Sequence, residues 1–399
     1  MNAMPTTDLW VRKSLRELVT INYGRDPSEI LDADGQYPVY GTSGSERFGT
    51  DYLYDGDSIV LGRKGTIERV HFATGRFWTI DTAYFLSDFQ DAFPKWLFYF
   101  LTSVDLRSLN EATGVPSLSR DLLYRIQVST PSGSEQNKIA EVLSTVDRAI
   151  EQTEALIAKQ QRTKTGLMQD LLTRGIDEDG NLRSEETHQF KDSPLGRIPV
   201  EWEPSTLCKL AFFYSGYAFK NQELTEHGWR VVRISNLHKP DFPYWHYEGP
   251  IKPSWLIRSG DVLFSWAGVA SSIDCIRYIG PDALMNQHIY NIKFETEQIR
   301  KYVYYFLQFY LPVLRSEIEG GAGQLHLTKA KIQAIPIPKL DEDELNRIVE
   351  LLECAEERLY GQKNQLAKLR SLKTALMQDL LTGKVRVTPL LTEPQEADK

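Results

Sequence analysis

The sequence predicts an α+β protein with two mixed α/β domains and two long helices that pack on each other. Three observations lead to this fold class. A segment of the chain occurs twice, a 3.5-residue apolar period accompanies each copy, and strand signals beside glycine turns are dense upstream of both. Sustained periods of this kind are typical of coiled coils, and alternating strand signals are typical of mixed domains.

The internal repeat is the most informative feature. Residues 164–173 read KTGLMQDLLT and residues 373–382 read KTALMQDLLT. Without gaps, 18 of the 57 positions in 117–173 are identical to those in 326–382. Upstream the likeness is weaker, although GDSIVL (56–61) matches GDVLFS (260–265). The period is far longer than that of a solenoid, so the repeat indicates a duplicated half-molecule.

The repeated helices show a regular apolar seam. Alternating steps of four and three residues run from Ile139 to Leu171 and from Ile348 to Leu380. The seam is interrupted by polar residues at equivalent positions, Thr153 with Gln362 and Lys164 with Lys373. Capping boxes at Ser132–Glu135 and Asp341–Glu344 predict where the helices begin, and Gly175 and Gly383 where they end.

These signals predict six segments. They are a first domain (1–131), a first long helix (132–174), a linker (175–198), a second domain (199–340), a second long helix (341–383) and a C-terminal tail (384–399). Strands are predicted at 37–40, 58–61, 231–234 and 262–264, and shorter helices at about 94–110 and 298–318. The polar, acidic linker predicts an exposed connection, and Pro116 and Gly320–Gly323 predict loops.

Composition excludes several classes of protein. The chain contains no run of eighteen apolar residues, so no membrane span is predicted. Its three cysteines are far apart in the sequence, which favours a protein of the reducing cytoplasm over a disulfide scaffold. The net charge of −8 excludes a uniformly basic protein. Charge is uneven, however: residues 1–133 carry −4 and residues 190–340 carry +3. A local nucleic-acid-binding patch remains compatible with this balance.

The sequence lacks motifs for catalysis. It contains no Gly-Lys-Ser/Thr for a phosphate loop, no GxGxxG, no Pro-Pro of an amino-methyltransferase motif and no zinc-ligand spacing. We therefore predict neither a catalytic nor a metal site.

Candidate DNA-binding residues are the basic, amide, hydroxyl and aromatic side chains in loops of the two domains. Such side chains form hydrogen bonds with base edges and with phosphates. Any one of them, however, more often stabilises a turn or packs in the core. Trp78 is a further candidate, although packing in the core is the favoured interpretation for both Trp78 and Trp266. The first domain supplies Thr42, Ser43, Arg47, Arg63, Lys64, Thr66 and Arg120. The second supplies Arg233, Ser235, Asn236, Trp266, Asn286, Gln287, His288, His326, Thr328 and Lys329.

The layout resembles the specificity subunit of type I restriction–modification systems. The resemblance is carried by the paired KTxLMQDLLT endings, by the helix starts 135–139 and 344–348, and by YPVYGTSG (37–44), GRKGT (62–66), RISNL (233–237), GDVLFSW (260–266) and NQHI (286–289). It covers nearly the whole chain. No single motif is diagnostic of the family. The order of these motifs, which occurs in both halves of the chain, is specific.

The resemblance implies a function and an arrangement. Each of two target-recognition domains would read one half of a split, asymmetric DNA site, and an antiparallel coiled coil would separate them in a pseudo-twofold arrangement and set the spacer. Two modification subunits would dock, and restriction subunits would join them. S-adenosylmethionine, ATP and Mg²⁺ would bind to those partners, and this chain would be non-catalytic. Two alternatives stay open: a coiled-coil assembly adaptor without a DNA role, and the recognition part of a split or fused restriction–methylation enzyme.

Overall fold

The computed structural model describes residues 10–319 and 325–391, without the side chains of residues 46, 317–319, 325 and 326. The chain forms two compact units. Unit 1 comprises 10–155 and 363–391, and unit 2 comprises 156–362. Each unit thus contains one predicted domain and parts of both long helices. The predicted Gly320–Gly323 loop lies outside the described residues.

Unit 1 contains a mixed set of strands and helices. Its helices are α1 (Leu15–Leu18), α2 (Pro94–Ser103), α3 (Arg120–Tyr124), the first part of α4 (Gly133–Thr173) and the last part of α8 (Glu342–Leu380). Its strands are β1 (Val11–Ser14), β2 (Thr20–Tyr23), β3 (Tyr37–Gly41), β4 (Gly44–Gly49), β5 (Tyr54–Asp55), β6 (Ser58–Gly62), β7 (Val70–Ala73), β8 (Arg76–Thr79), β9 (Ala83–Ser87) and β10 (Gln127–Thr130).

Unit 2 has the same kinds of element. Its helices are the end of α4, α5 (Ile234–His238), α6 (Glu297–Glu319), α7 (Lys329–Gln333) and the first part of α8 (Glu342–Leu380). Its strands are β11 (Phe190–Ser193), β12 (Gly196–Pro199), β13 (Glu203–Thr206), β14 (Phe212–Ser215), β15 (Trp229–Val232), β16 (Trp245–Tyr247), β17 (Leu256–Ile257), β18 (Val262–Ser265), β19 (Ala267–Gly268), β20 (Asp274–Arg277), β21 (Ala283–Met285), β22 (Ile289–Lys293), β23 (Leu325–His326) and β24 (Pro336–Lys339).

The two units share one sheet topology. Unit 1 has an antiparallel sheet of order β2-β9-β6-β7 and a mixed sheet of order β4-β3-β8-β5, in which β3 and β8 are parallel. Unit 2 repeats this plan as β14-β22-β18-β20 and β16-β15-β21-β17, with β15 and β21 parallel. The duplication predicted from the helices therefore extends to the two mixed α/β domains, where sequence similarity is weak.

Alternation along the central strand β6 explains its complete burial. Ile59 and Leu61 face a core that includes Trp96 of α2, whereas Val60 packs with Phe77 of the second sheet. Because successive side chains of a strand point to opposite faces, one strand can contribute to two cores.

Most predicted elements of the domains are present. The predicted strands at 37–40, 58–61 and 262–264 are confirmed. The strand predicted at 231–234 instead ends at Val232, because Ile234 already begins α5. The helix predicted at 94–110 is divided into α2 and a 3₁₀ segment, Leu106–Leu109.

The long helices have the predicted lengths and seam. α4 has 41 residues and α8 has 39. No predicted seam position is exposed, whereas residues between them frequently are. Within unit 1, Asp147 pairs with Lys373 at 2.6 Å and Glu154 with Arg370 at 2.6 Å, so the helices run antiparallel there. Within unit 2, Lys164 pairs with Glu356. The seam lysines are thus paired charges.

In each unit a buried glutamate at the start of one long helix contacts an arginine that follows the other long helix. In unit 1 both oxygens of Glu135 accept hydrogen bonds of 2.7 Å from Arg386. In unit 2 Glu344 accepts from Arg183, from the Trp202 indole at 2.9 Å and from the Ile176 amide at 2.9 Å. We name these two contacts the Glu135 clasp and the Glu344 clasp.

The capping-box prediction was only half correct. Ser132 and Asp341 do accept from the amides of Glu135 and Glu344, at 3.4 and 2.8 Å. The glutamate side chains, however, bond to arginines that follow the other long helix. An arginine can donate two hydrogen bonds to one carboxylate, whereas a backbone amide donates one; the arginine pairs are therefore favoured over the capping bond.

The predicted linker proved to be more ordered than an exposed connection. Its end forms the β11–β12 hairpin, and Ile176, Arg183 and Ile198 are buried. The polar, acidic composition of the linker predicts exposure. Arg183 is nevertheless buried because it pairs with Glu344, a carboxylate 161 residues away in the sequence. The predicted tail also packs in part: Val387 is buried, and residues 392–399 lie outside the described residues.

Glu353 of α8 is expected to make unit 2 sensitive to acid. Burial alone would raise its pKa, but bonds from Arg277, Tyr305 and Lys301, at 2.7 to 3.1 Å, lower the pKa to about 2. Stability from this carboxylate should be present above about pH 4.5 and be lost as the pH falls towards 2. After solvent screening we expect a contribution of about 1–2 kcal/mol.

The measurement is urea unfolding of Glu353→Gln between pH 3 and 7. The variant should have a shallower acid slope than the natural protein, while the exposed neighbour Glu357→Gln should leave it unchanged. Equal slopes for all three proteins would contradict this prediction.

None of the helices in the described part of the chain is long and apolar enough to cross a membrane.

Candidate nucleic-acid interface

An exposed tyrosine gathers two of the predicted basic residues of unit 1. Tyr23 ends β2 and is 46% exposed. The guanidinium carbons of Arg63 and Arg120 lie 5.1 and 4.9 Å from the centre of its ring. These distances allow cation–π attraction. We name Tyr23, Arg63 and Arg120 the Tyr23 patch. Both arginines are predicted DNA-binding residues, whereas the tyrosine is not.

Backbone hydrogen bonds position the two arginines. The loop after β6 is held against residues 116–118, because Leu118 donates to the Arg63 carbonyl and Gly65 to that of Pro116, both at 2.9 Å. Helix α3 then begins at Arg120. Lys64 in the same loop is exposed and Thr66 is half-buried. A side chain held by an ordered loop loses less entropy on binding.

The β3–β4 hairpin lies beside this loop. Thr42 and Ser43 form its turn, where the Thr42 carbonyl lies 3.2 Å from His71 Nε2, and Arg47 is exposed on β4. Residues 80–82 connect the two features: Ile80 donates to Tyr40, and Arg63 donates to Thr82, at 3.0 and 2.9 Å. The β3–β4 hairpin and the loop after β6, which both carry predicted residues, are thus joined through residues 80–82.

Trp78 is packed, as the favoured interpretation had it. The ring is 8% exposed, and its indole donates to the Arg25 carbonyl at 2.9 Å.

In unit 2 an aromatic cluster occupies the corresponding place. The Trp266 ring lies 5.2 Å from His288 and 5.7 Å from Tyr290, with which it stacks. Gln287 Nε2 lies 3.2 Å from His288 Nε2. Trp266, Gln287 and His288 are half-buried, so part of each stays accessible. We name Trp266, Gln287 and His288 the Trp266 patch.

The Tyr23 patch and the Trp266 patch share one structural position, which different side chains occupy. Leu327 donates to the Trp266 carbonyl at 3.1 Å, just as Leu118 donates to Arg63, so Trp266 replaces Arg63. Lys329 begins α7 as Arg120 begins α3, and its Nζ lies 3.5 Å from the Phe213 carbonyl. Different side chains at equivalent positions would contact different bases.

Other predicted residues of unit 2 serve the fold. Asn236 is buried: it accepts from the Arg233 amide at 3.1 Å and donates to the Phe242 carbonyl at 2.8 Å, so we omit it from the interface. The guanidinium of Arg233 lies over the Trp245 ring at 4.2 Å. Thr328 caps α7.

The remaining predictions for unit 2 have varied environments. Ser235 is half-buried and Asn286 is buried. The side chain of His326 lies outside the described residues. No set of three histidine, cysteine, aspartate or glutamate side chains among the described residues is arranged to hold a metal ion.

Comparison with known families matches both halves of the chain to one family model. The type I restriction modification DNA specificity domain matches residues 7–159 and again residues 199–368. The chain belongs to this DNA specificity family. The two matches coincide with the two copies of the sheet plan.

Relatives and solved structures agree with this membership. The type I restriction enzyme MjaVIII specificity subunit of Methanocaldococcus jannaschii is 26% identical over 310 residues, which cover 74% of this chain and 71% of that protein. The S subunit of a type I restriction–modification system from M. genitalium has the same fold, with a TM-score of 0.66, 15% identity and coverage of 95% and 98%. A chain from a type I system studied for complex assembly gives a TM-score of 0.55, with 16% identity and coverage of 95% and 99%.

Proposed function

We propose that this chain is the DNA-recognition subunit of a type I restriction–modification complex, in which each domain reads one half of a bipartite, asymmetric site. One observation carries the proposal. A DNA specificity domain occurs twice, and the two copies present different side chains, Arg63 and Trp266, at the same structural position. Two different readers in one chain suit a site with two different halves.

The long helices serve the same function in this proposal. They set the spacer between the half-sites and dock two modification subunits, one for each copy of the repeat. Two linked readers gain effective concentration on a correctly spaced site, which favours that site over isolated halves. Catalysis, with S-adenosylmethionine, ATP and Mg²⁺, belongs to the modification and restriction subunits, and this chain is non-catalytic.

The experiment is methylation-sensitive sequencing of host DNA with and without this chain. We expect one bipartite motif, with a modified base in each half, to disappear when the chain is deleted. An unchanged methylation pattern, with retained binding to partner proteins, would favour the assembly adaptor instead.

Exchange of one domain is expected to change one half-site. When residues 1–131 are replaced by the same domain of a relative, the first half of the motif should change and the second should remain, because residues 10–131 pack within unit 1. The matched control exchanges residues 199–340. Sequencing of the modified DNA reads both outcomes, and a swap that altered both halves or neither would contradict modular recognition.

A further inference from the structure

One hairpin differs between the two units. In unit 1 the short turn Thr42–Ser43 joins β3 to β4. In unit 2 the strands β15 and β16 occupy the same places, because β15 pairs in parallel with β21 just as β3 pairs with β8. A much longer segment, residues 233–244 with α5, joins these two strands. We name residues 233–244 the α5 loop.

The α5 loop is packed beside the Trp266 patch within unit 2. The carbonyl of Val232, which precedes the loop, accepts from the amide of Asn286 at 2.9 Å, and the next two residues after Asn286 belong to the patch. Ile234 and Leu237 pack against the hydrophobic cluster that contains Ile289, the residue that follows the patch. The start of the loop therefore rests on the backbone that carries the patch.

The end of α5 approaches the same patch through a second set of contacts. His238 Nδ1 lies 3.9 Å from Asp274 Oδ2. Asp274 pairs across β18 and β20 with Ser265, which directly precedes Trp266. Two independent sets of contacts thus place the α5 loop at the border of the Trp266 patch.

Hydrogen bonds close the tip of the loop into an ordered turn. The Phe242 amide donates to the Lys239 carbonyl, and the Lys239 amide donates to the Ser235 carbonyl, both at 2.9 Å. The buried Asn236 donates to the Phe242 carbonyl at 2.8 Å, and the guanidinium of Arg233 lies 5.3 Å from the centre of the Phe242 ring. A tip that is ordered in advance loses less entropy on binding.

This ordered tip exposes side chains that the fold does not use. Lys239 and Asp241 are exposed, and Phe242 is 42% exposed. Neither charge has an ion pair within residues 10–319 and 325–391. In the major groove a lysine can donate to guanine, an aspartate can accept from cytosine, and a phenylalanine can contact the methyl group of thymine. The tip therefore has the chemistry of a base reader.

We propose that the tip of the α5 loop, residues 239–242, reads base pairs adjacent to those that the Trp266 patch reads. This rests on the proposed function, in which unit 2 reads one half of the site. In unit 1 the turn Thr42–Ser43 stands at this place, so unit 1 has no counterpart of the tip. The α5 loop would then widen the recognition surface of unit 2 alone.

The test uses the complete complex with Lys239→Ala, Asp241→Ala and Phe242→Ala combined. All three side chains are exposed, so their truncation leaves the buried contacts of the loop in place. Affinity is measured on duplexes in which each base pair of the recognised site is replaced in turn. We expect at least a roughly fivefold loss of preference at some base pairs of the second half-site, while the other base pairs and the first half-site stay unchanged.

Two further variants make the result specific. Gln287→Ala identifies base pairs that the Trp266 patch reads, and these should neighbour the positions lost in the tip variant without coinciding with them. The matched control combines Asp192→Ala, Lys209→Ala and Phe212→Ala, which truncates the same three types of exposed side chain elsewhere in unit 2. The control should keep every preference of the natural complex.

Three results would overturn the proposal. The first is a tip variant that keeps every preference of the natural complex. The second is loss of the same base pairs in the tip variant and in Gln287→Ala, because the tip would then only position the Trp266 patch. The third is weaker binding of modification subunits with unchanged base preferences, which would indicate a protein partner for the tip.

Failure of the proposed function has a different signature. A natural complex that recognises no bipartite site would refute that function and this proposal together. A natural complex with a bipartite site that the tip variant leaves unchanged would refute only the role of the α5 loop.

Discussion

Glu344→Gln is expected to destabilise unit 2 by about 3–5 kcal/mol, because it leaves Arg183 as a buried charge without its partner. The Glu344 side chain is 1% exposed and Arg183 is 8% exposed. Glutamine cannot replace the ion pair, although it retains much of the shape. Gly175 leaves no space for relaxation: a Cβ there would lie 2.2 Å from Glu344 and 2.5 Å from Trp202. The measurement is the unfolding free energy from urea titration.

The second clasp supplies the matched control. Glu135→Gln should cost less, because Arg386 is 29% exposed and water can solvate it when its partner is lost. Replacement of both partners, Arg183→Met with Glu344→Leu, should be much milder than Glu344→Gln, since no charge is then left buried. If Glu344→Gln and Glu135→Gln proved equally harmless, the clasps would not stabilise the units.

Arg63→Ala with Arg120→Ala is expected to abolish discrimination at one half-site and spare the other. Each arginine that contacts a base should contribute about 1–3 kcal/mol, which amounts to a roughly fivefold loss of preference or more for each. Both guanidinium groups lie over the Tyr23 ring, so each is pre-oriented before DNA arrives. Sequencing of the modified DNA should show a relaxed first half and an unchanged second half.

The control for this pair is Arg12→Ala, an exposed arginine on β1 of the same unit. It removes a similar charge outside the Tyr23 patch and should leave the motif intact. Tyr23→Leu separates orientation from charge: it removes the ring but keeps both arginines, and we expect a smaller loss. An unaltered first half-site in the double variant would refute the assignment of the Tyr23 patch as a reader.

Local signals were sufficient for much of the fold. The 3.5-residue period identified both long helices and every seam position, because helix geometry depends on residues a few positions apart. The glycine ends were also predictable: Gly175 and Gly383 have φ angles of +64° and +73°, which disfavour other residues. Strands such as Ser58–Gly62 were visible because a continuous apolar run beside glycine predicts a buried strand.

Contacts between distant residues were not predictable from local patterns. The capping pattern assigned Glu344 to its own helix start, whereas the structure gives its carboxylate to Arg183 in a segment that looked like an exposed linker. Asn236 looked like a base reader but caps a turn. Only the folded domain shows which polar groups form hydrogen bonds or ion pairs with each other, because the partners lie far apart in the sequence.

By itself, the sequence determined the duplication, the helix pair and which residue types could read DNA, because repeats and periodicity are properties of the chain. Only the tertiary structure decided which of those residues converge. It placed Arg63 and Arg120, 57 positions apart, over an exposed ring that no motif had marked, and it placed Trp266 at the matching position of the other domain. The physical reason is that strand pairing and loop hydrogen bonds set these distances, and both join residues that sequence spacing does not relate.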